Sequence, residues 1–336
     1  METGGRRQPY GRHRARCDLG AVLPLAAPLS LLIDPAGMCN FRCVFCPTGD
    51  PALLKRLGRP RQLLDEGLFA RLCDDIAAFG QPIKSVHLYK DGEPLLHPRL
   101  PAFVAVLKER GLARTVEVTT NGSLLTATTA AALLAAGLDG IRISVYGPDR
   151  ATYAAVTGRQ AWEAVRDGVI ALHRLRQEGG FGLHIHVKLV DQGLTEAQRR
   201  QFEADFAPFS DSVFIHPLHG QPLQDPAFAT TPAIARRVCS EPFLKLAVNA
   251  EGTVSACCAD WNRTAVVGDL RRETLREIWE GAALRQFRLT HLRGDRHSLE
   301  ACRACTYVAT LPVDNDLDAL AESLWSRYAA PDGSGL

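Results

Sequence analysis

The chain has 336 residues, of which 46% are hydrophobic and 23% are charged, and its formal net charge is +2. This length suffices for a large domain with a small one beside it, and the composition is ordinary for a globular protein. The small net charge excludes nucleic acid and acidic membranes as partners held by charge alone. The apolar runs are too short to span a bilayer, and none follows the arginines near the start as in a secretory signal. We therefore expect 1–28 to be a flexible basic tail.

The middle of the chain alternates between short apolar strands and amphipathic helices. Strands are predicted at 29–33, 84–89, 114–119, 140–145, 182–190 and 212–216. Helices are predicted between them at 65–79, 98–110, 126–136, 161–177 and 195–206. Six such β–α repeats indicate an α/β fold, with a parallel sheet that carries its helices on the outside.

A different pattern follows the last of these repeats. A proline-rich stretch predicts a linker at 217–235. A smaller unit at 236–310 then contains a predicted hairpin (243–249 and 253–257) and a helix at 274–288. The remaining segment, 311–336, contains a predicted helix at 314–328 that places Leu317, Leu320 and Leu324 on one face. We expect this helix to pack back on the body of the protein.

The ten cysteines are concentrated in two groups. One group is Cys39, Cys43 and Cys46, and the other is Cys239, Cys257, Cys258, Cys302 and Cys305. A secreted disulfide scaffold would be a shorter chain with its cysteines spread throughout. Grouped cysteines without an export signal indicate metal or iron–sulfur sites in the reducing cytoplasm. Of the two others, Cys17 lies in the predicted tail and Cys73 on the apolar face of a predicted helix.

The first group forms a C-x3-C-x2-C motif directly after the first predicted strand. Three thiolates at this spacing can hold a [4Fe–4S] cluster and leave its fourth iron open to another ligand. Zinc is the alternative, but a closed zinc site needs four ligands, and no fourth Cys or His lies nearby in the sequence.

With this motif in this position, the sequence resembles the radical S-adenosylmethionine (radical SAM) superfamily over about 29–216. The resemblance implies a partial (β/α)6 TIM-like barrel with the cluster at the carboxyl ends of the strands. It also implies that S-adenosylmethionine binds the open iron and is cleaved to a 5′-deoxyadenosyl radical, which abstracts hydrogen from the substrate. Flavodoxin or ferredoxin is the implied reductant.

Further positions resemble the cofactor-binding segments of this superfamily. In the segment 90–94, Gly92 and Glu93 correspond to its Gly-Gly-Glu motif, although Asp91 stands where the first glycine is usual. The resemblance implies additional cofactor contacts from Phe45, Asn121, Ser144 and Lys188. Each position also has an ordinary structural interpretation, such as a turn or a helix start. Their joint location at strand ends favours the cofactor site.

The second cysteine group suits a closed cluster with four thiolates, from Cys239, Cys257, Cys302 and Cys305. The Gly-x4-Cys pattern before Cys257 and the later C-x2-C pair resemble the twitch domain, a shortened SPASM domain. This resemblance implies one auxiliary [4Fe–4S] cluster, because the sequence has no cysteine after Cys305 for another. A zinc knuckle made of the same thiolates is the alternative.

Cys258 directly follows one of the expected ligands. It is either a buried thiol without a role, the true ligand in place of Cys257, or a hydrogen-atom donor to a substrate radical. The third interpretation favours an epimerase of a carbinol carbon in a carbohydrate-like or aminocyclitol substrate. Polar residues at strand ends are candidates for its pocket: Asp34, Lys90, Arg142, Tyr146, His186 and His216.

Two alternatives belong to the same superfamily. In a carbinol dehydrogenase, the auxiliary cluster would accept an electron and a base would take the hydroxyl proton. In a peptide-modifying enzyme, an N-terminal recognition domain is usual, and the residues before the first strand are too few for one. A structural zinc protein would leave Gly92, Glu93 and the other strand-end positions unexplained.

Overall fold

The computed structural model describes residues 18–191, 193–217 and 236–329. Cys17 and the predicted linker beyond position 217 lie outside these ranges. The helices and strands below are numbered in chain order, and the predicted domain boundaries stay predictions.

Within the described ranges, nine strands form one sheet, in the spatial order β6–β5–β4–β3–β2–β1–β7–β8–β9. They are β1 (Ser30–Ile33), β2 (Ile83–His87), β3 (Ala113–Thr120), β4 (Gly140–Val145), β5 (His184–Asp191), β6 (Ser212–Pro217), β7 (Lys245–Val248), β8 (Thr253–Ser255) and β9 (Val266–Asp269). Each of the first six strands pairs in parallel with its neighbour in sequence. The predicted α/β fold with a parallel, barrel-like sheet is confirmed.

Helices connect these strands and cover their outer face. The α-helices of this region are α1 (Leu19–Val22), α2 (Pro51–Arg56), α3 (Glu66–Ala77), α4 (Leu100–Glu109), α5 (Ala127–Ala135), α6 (Arg150–Thr157), α7 (Trp162–Gly179) and α8 (Glu196–Phe206). Side chains of Asp65, Thr126 and Thr195 cap the first turns of α3, α5 and α8. The short helices α2 and α6 were not predicted, because neither is long enough to show a clear apolar period.

The two faces of the parallel sheet differ in chemistry. Alternate residues such as Val86, Val116 and Ile141 belong to the apolar core between sheet and helices. Successive residues of a strand point to opposite faces, so the residues between them face the inside of the partial barrel. That inner face is polar and includes Glu117 and Arg142. A polar interior of this kind is suited to a hydrophilic ligand.

The C-terminal part extends the same sheet. Strand β7 pairs in parallel with β1, and β8 and β9 continue from it in antiparallel pairing. The remaining helices are α9 (Glu241–Leu244), α10 (Leu275–Glu280), α11 (Ala282–Leu292), α12 (Glu300–Arg303) and α13 (Ala321–Ala329). The prediction of one helix at 274–288 is wrong, since the chain is extended at Gly281 (φ −68°, ψ 157°) and two helices meet there.

The ends of the described chain pack against each other. Leu19 and Leu23 are buried in an apolar cluster with Leu324 and Tyr328 of α13, and Arg327 donates hydrogen bonds to the carbonyls of Gly20 and Leu23. The expectation of flexibility is therefore wrong for 18–28.

The predicted helix 314–328 forms only from residue 321 onward. The Asp316 carboxylate accepts a hydrogen bond from the Asp318 N–H at 2.9 Å. This local bond competes with helix formation and leaves two short 3-10 turns before α13. Among the described residues, no helix has the length and apolar character needed to cross a membrane.

Candidate functional site

The loop after β1 carries the first cysteine group. Cys46 lies close enough to Cys39 to disfavour its ionisation, and Cys46 and Cys39 both disfavour the ionisation of Cys43. Burial raises the pKa of Cys39 to about 12, and the nearby Glu93 and Cys46 add to this effect. Thiols in this environment ionise only when a metal centre compensates their charge.

In the part of the chain that the structure describes, no three His, Cys, Asp or Glu side chains are placed to hold one metal ion. The thiolates of a cluster bind separate irons and therefore stand further apart than the ligands of one zinc ion.

The segment after β2 lies directly against the loop that carries these cysteines. A Cβ atom on Gly92 would overlap the carbonyl oxygens of Ala36 and Met38. The Glu93 N–H donates a hydrogen bond to the Met38 carbonyl at 2.9 Å. Glycine is required at position 92 because only its bare Cα allows the two backbones to come this close.

The Glu93 carboxylate joins the ends of two strands. It accepts hydrogen bonds from the Thr120 hydroxyl at 2.5 Å and from the Asn121 N–H at 2.7 Å. Burial raises the pKa of Glu93 to about 7. The carboxyl is thus held in a fixed position beside the cysteine loop, where it can serve a bound cofactor.

The other expected cofactor contacts lie on the cysteine loop, next to that loop, and on β4 and β5. The Asn121 side chain lies 3.7 Å from the Cys39 sulfur, so it is next to the cysteine loop. Ser144 and Lys188 are directly opposite each other on β4 and β5, and burial lowers the pKa of Lys188 to about 8. The Phe45 ring packs against Tyr146 with a centroid distance of 5.4 Å.

Asp91, which departs from the superfamily pattern, is a centre of buried charge. Its carboxylate contacts Arg59 at 3.0 Å, Lys90 at 2.7 Å and Arg263 at 2.6 Å. The Arg59 guanidinium also lies 4.1 Å from the Trp261 ring centroid. Sequence analysis missed both arginines, because nothing in their local sequence shows that they meet at Asp91.

The second cysteine group gathers around a buried histidine that sequence analysis also missed. His291 accepts a hydrogen bond from the Cys239 N–H at 3.2 Å, and its other ring nitrogen lies 3.6 Å from the Cys302 sulfur. Burial lowers the pKa of His291 to about 3, so the ring is neutral. Cys239 lies near Cys302 and Cys305, which are near each other, and Cys257 lies near Cys239.

Cys257 and Cys258 have different surroundings. The Cys257 sulfur accepts a hydrogen bond from the Ala259 N–H at 3.3 Å. The Cys258 sulfur lies 3.7 Å from a carboxylate oxygen of Glu241, which forms an ion pair with Lys245 at 2.7 Å. The hydrogen bond with Cys257 and the charges of Lys245 and Lys90 hold the pKa of Cys258 below its ordinary value.

The inner face of the barrel adds a network of polar side chains. Arg142 donates to the Tyr89 hydroxyl at 3.0 Å and to the Glu117 carboxylate at 2.7 Å. His186 lies 2.7 Å from the Ser212 hydroxyl, and its ring packs near His216. Of the six predicted pocket residues, Arg142, His186 and His216 therefore belong to this group of side chains.

The family models match both parts of the chain. The model of the radical SAM superfamily matches residues 33–197, and that of the SPASM iron–sulfur cluster-binding domain matches 239–306. The chain carries a radical SAM domain followed by a SPASM-type domain. The first domain implies S-adenosylmethionine and a [4Fe–4S] cluster, and the second implies an auxiliary iron–sulfur cluster. The predicted cofactors are thereby confirmed.

The chain is similar to curated relatives that carry two different enzyme names. The chain is 35% identical over 127 residues to a GTP 3′,8-cyclase of Chlorobaculum tepidum. This match covers 38% of this chain and 36% of the relative. It is 27% identical over 326 residues to a PqqA peptide cyclase of Ruegeria pomeroyi. This second match covers 85% of this chain and 82% of the relative. The chain thus spans only about a third of the length of the first relative.

Solved structures share the fold at low sequence identity. BtrN in complex with AdoMet and 2-DOIA has a TM-score of 0.54 and 17% identity, covering 83% of this chain and 93% of that one. Native anSMEcpe with bound AdoMet has a TM-score of 0.60 and 15% identity, covering 90% and 97%. Streptococcus suis SuiB bound to precursor peptide SuiA has a TM-score of 0.55 and 14% identity, covering 86% and 72%. Such likenesses establish the fold alone.

Proposed function

We propose that this protein epimerises a carbinol carbon of a sugar or aminocyclitol, with Cys258 as the hydrogen-atom donor. Cys39, Cys43 and Cys46 would hold the radical SAM cluster, and Cys239, Cys257, Cys302 and Cys305 the auxiliary cluster. When bound and reduced, S-adenosylmethionine supplies a 5′-deoxyadenosyl radical that takes hydrogen from the substrate carbon. The reductant would be a flavodoxin or ferredoxin of the cytoplasm, where grouped thiols stay reduced.

The position of Cys258 is the observation that carries this proposal. Its thiol lies beside Glu241, whose carboxylate pairs with Lys245 of β7, and near Lys90, which follows β2. A thiol S–H bond is weak enough to give its hydrogen to a carbon radical. Cys258 would deliver that hydrogen to the opposite face of the carbon and become a thiyl radical, which one electron from the flavodoxin or ferredoxin and one proton from water convert back to the thiol.

The polar inner face supports a hydroxyl-rich substrate. Arg142, Tyr89 and Glu117 form one continuous hydrogen-bonded group there, and they offer both donors and acceptors. The BtrN neighbour, which holds AdoMet together with 2-DOIA, has the same fold. These residues would orient the substrate so that one face of the reacting carbon is turned toward Cys258.

Peptide modification is the second candidate. The match to the PqqA peptide cyclase extends over most of both chains, and SuiB holds a precursor peptide on this fold. A carbinol dehydrogenase is a further alternative, in which Cys258 would have no role.

Solvent deuterium distinguishes these candidates. The reconstituted enzyme is incubated in deuterium oxide with a sugar panel and, separately, with candidate peptides, and products are analysed by mass spectrometry. An epimerase with an exchangeable thiol donor incorporates one deuterium at the inverted carbon. A dehydrogenase releases a ketone that carries no deuterium at this carbon, and a peptide-modifying enzyme changes only the peptide.

The variant Cys258→Ala should lose epimer formation by about 100-fold or more, because the hydrogen donor is gone. Formation of 5′-deoxyadenosine should continue, since it precedes this step. The matched control is Cys73→Ala, which removes a thiol of α3 that is buried in the core. An unchanged epimer yield from Cys258→Ala would remove Cys258 from the mechanism.

A further inference from the structure

Asp34 is a buried carboxylate that receives no hydrogen bond from the described part of the chain. It directly follows β1, and its N–H donates to the Val248 carbonyl of β7 at 2.9 Å. The Asp34 residue is 1% exposed, and neither carboxylate oxygen has a hydrogen-bond partner among the residues that the structure describes. Because Leu31 and Ile33 face the helix-covered core, alternation places Asp34 on the inner face of the barrel.

The cations around Asp34 form ion pairs with other carboxylates. The cations near it are Lys90, Arg263 and Arg59, and all three contact Asp91. Arg263 also contacts Glu251 at 3.0 Å. Three cations therefore face three carboxylates, so the cluster is neutral when Asp34 is ionised. Burial and the neighbouring Asp91 raise the pKa of Asp34 to about 7.

The charges around Asp34 link the two segments that carry the cysteine groups. Asp34 precedes Cys39 by five positions in the chain. Its neighbours Lys90 and Arg263 each donate a hydrogen bond to the Asp260 carbonyl at 3.5 Å, and Asp260 is two positions from Cys258. In the reaction proposed above, the substrate would bind next to both segments.

We propose that Asp34 is a substrate-binding residue that accepts a hydrogen bond from a hydroxyl group of a neutral polyol. Leaving a buried carboxylate without a donor is unfavourable, and a ligand hydroxyl would remove this deficit. A hydroxyl suits the site better than an ammonium group, since the charges are balanced before the ligand binds. This inference rests on the proposed sugar substrate, and it identifies the group that the sugar would present to β1.

Thermal unfolding of the cluster-loaded protein tests the inference without a known substrate. The variants are Asp34→Asn and Asp34→Leu, and the probe is myo-inositol, an uncharged cyclic polyol. The control is Glu117→Leu, which removes an equally buried acid of the inner face that has partners in Arg142 and His87. Each protein is heated with and without the probe.

Without the probe, Asp34→Leu should unfold at the same temperature as the wild type or higher, because it removes an unpartnered carboxylate. Glu117→Leu should unfold at least about 3 °C lower, because it leaves its partners unpaired. With myo-inositol, the wild type should gain more thermal stability than either Asp34 variant, since the general effect of an osmolyte is common to all.

Two results would overturn the inference. A lowered unfolding temperature in both Asp34 variants would make Asp34 a structural partner of the buried cations. An equal gain from myo-inositol in the wild type and the Asp34 variants would show that Asp34 does not bind a polyol. Neither readout requires turnover, so failure of the proposed reaction would appear separately, as the absence of an epimer from the wild-type enzyme.

Discussion

Asp91 connects three segments of the chain through one carboxylate. Burial alone would raise its pKa, but the charges of Lys90, Arg263 and Arg59 hold the pKa of Asp91 below its ordinary value. A carboxylate with a lowered folded-state pKa stabilises the protein above its unfolded-state pKa of about 4. That contribution is lost only as the pH falls through the lower, folded-state pKa, so it is complete at neutral pH.

Replacing Asp91 with Asn should therefore destabilise the protein by about 3–5 kcal/mol at pH 7, because three buried cations lose their common partner. Chemical denaturation of the reconstituted protein measures the change. The control is Asp74→Asn, whose exposed ion pair with Arg110 is expected to contribute less than about 1 kcal/mol. Equal effects of the two substitutions would show that the Asp91 cluster is not structurally important.

At the scale of elements, the end of β2 and the loop after β1 form one unit. A side chain at position 92 would force these backbones apart and shift both Glu93 and Cys39. The geometry of the first cysteine group thus depends on a contact between two loops.

Gly92→Ala should reduce formation of 5′-deoxyadenosine at least about 10-fold, because a small displacement at a reacting site has a large effect on rate. Iron at the second cysteine group should be retained. Gly182→Ala is the control, since a Cβ there would meet no atom within 4 Å. Activity of Gly92→Ala equal to that of the control would contradict the proposed role of this contact.

Local patterns predicted the parallel strands well, because apolar runs and helix starts are short-range signals. Strand β4 was predicted with its observed bounds, and α8 differs from its prediction by one residue. Strand β9 was not predicted, and its pairing with β8 includes a register shift that weakens the alternating pattern. The break at Gly281 was missed because the apolar period continues through it.

The site was predictable where residues are close in sequence and not where they meet across the fold. The cysteine spacings are local features, and they identified the candidate ligands directly. Arg263 meets Asp91 across 172 positions, and no local feature marks it. The same holds for His291, whose role depends on burial between Cys239 and Cys302.

At the scale of the whole molecule, the two domains share one sheet. Strand β7 adds directly to β1, and Arg59 and Arg263 join the two parts through Asp91. The segments that carry the two cysteine groups are consequently joined to one framework. In the proposed epimerisation, hydrogen would be removed from one face of a substrate and returned to the other.

Anaerobic reconstitution shows whether the chain is a radical enzyme with two iron–sulfur clusters. Iron, sulfide and 5′-deoxyadenosine are counted for the wild type and for the combined Cys39→Ala, Cys43→Ala and Cys46→Ala variant. The wild type should bind about eight irons and form 5′-deoxyadenosine, whereas the variant should bind about four and form none. Zinc in place of iron, or cleavage of S-adenosylmethionine by the variant, would show that the chain is not such an enzyme.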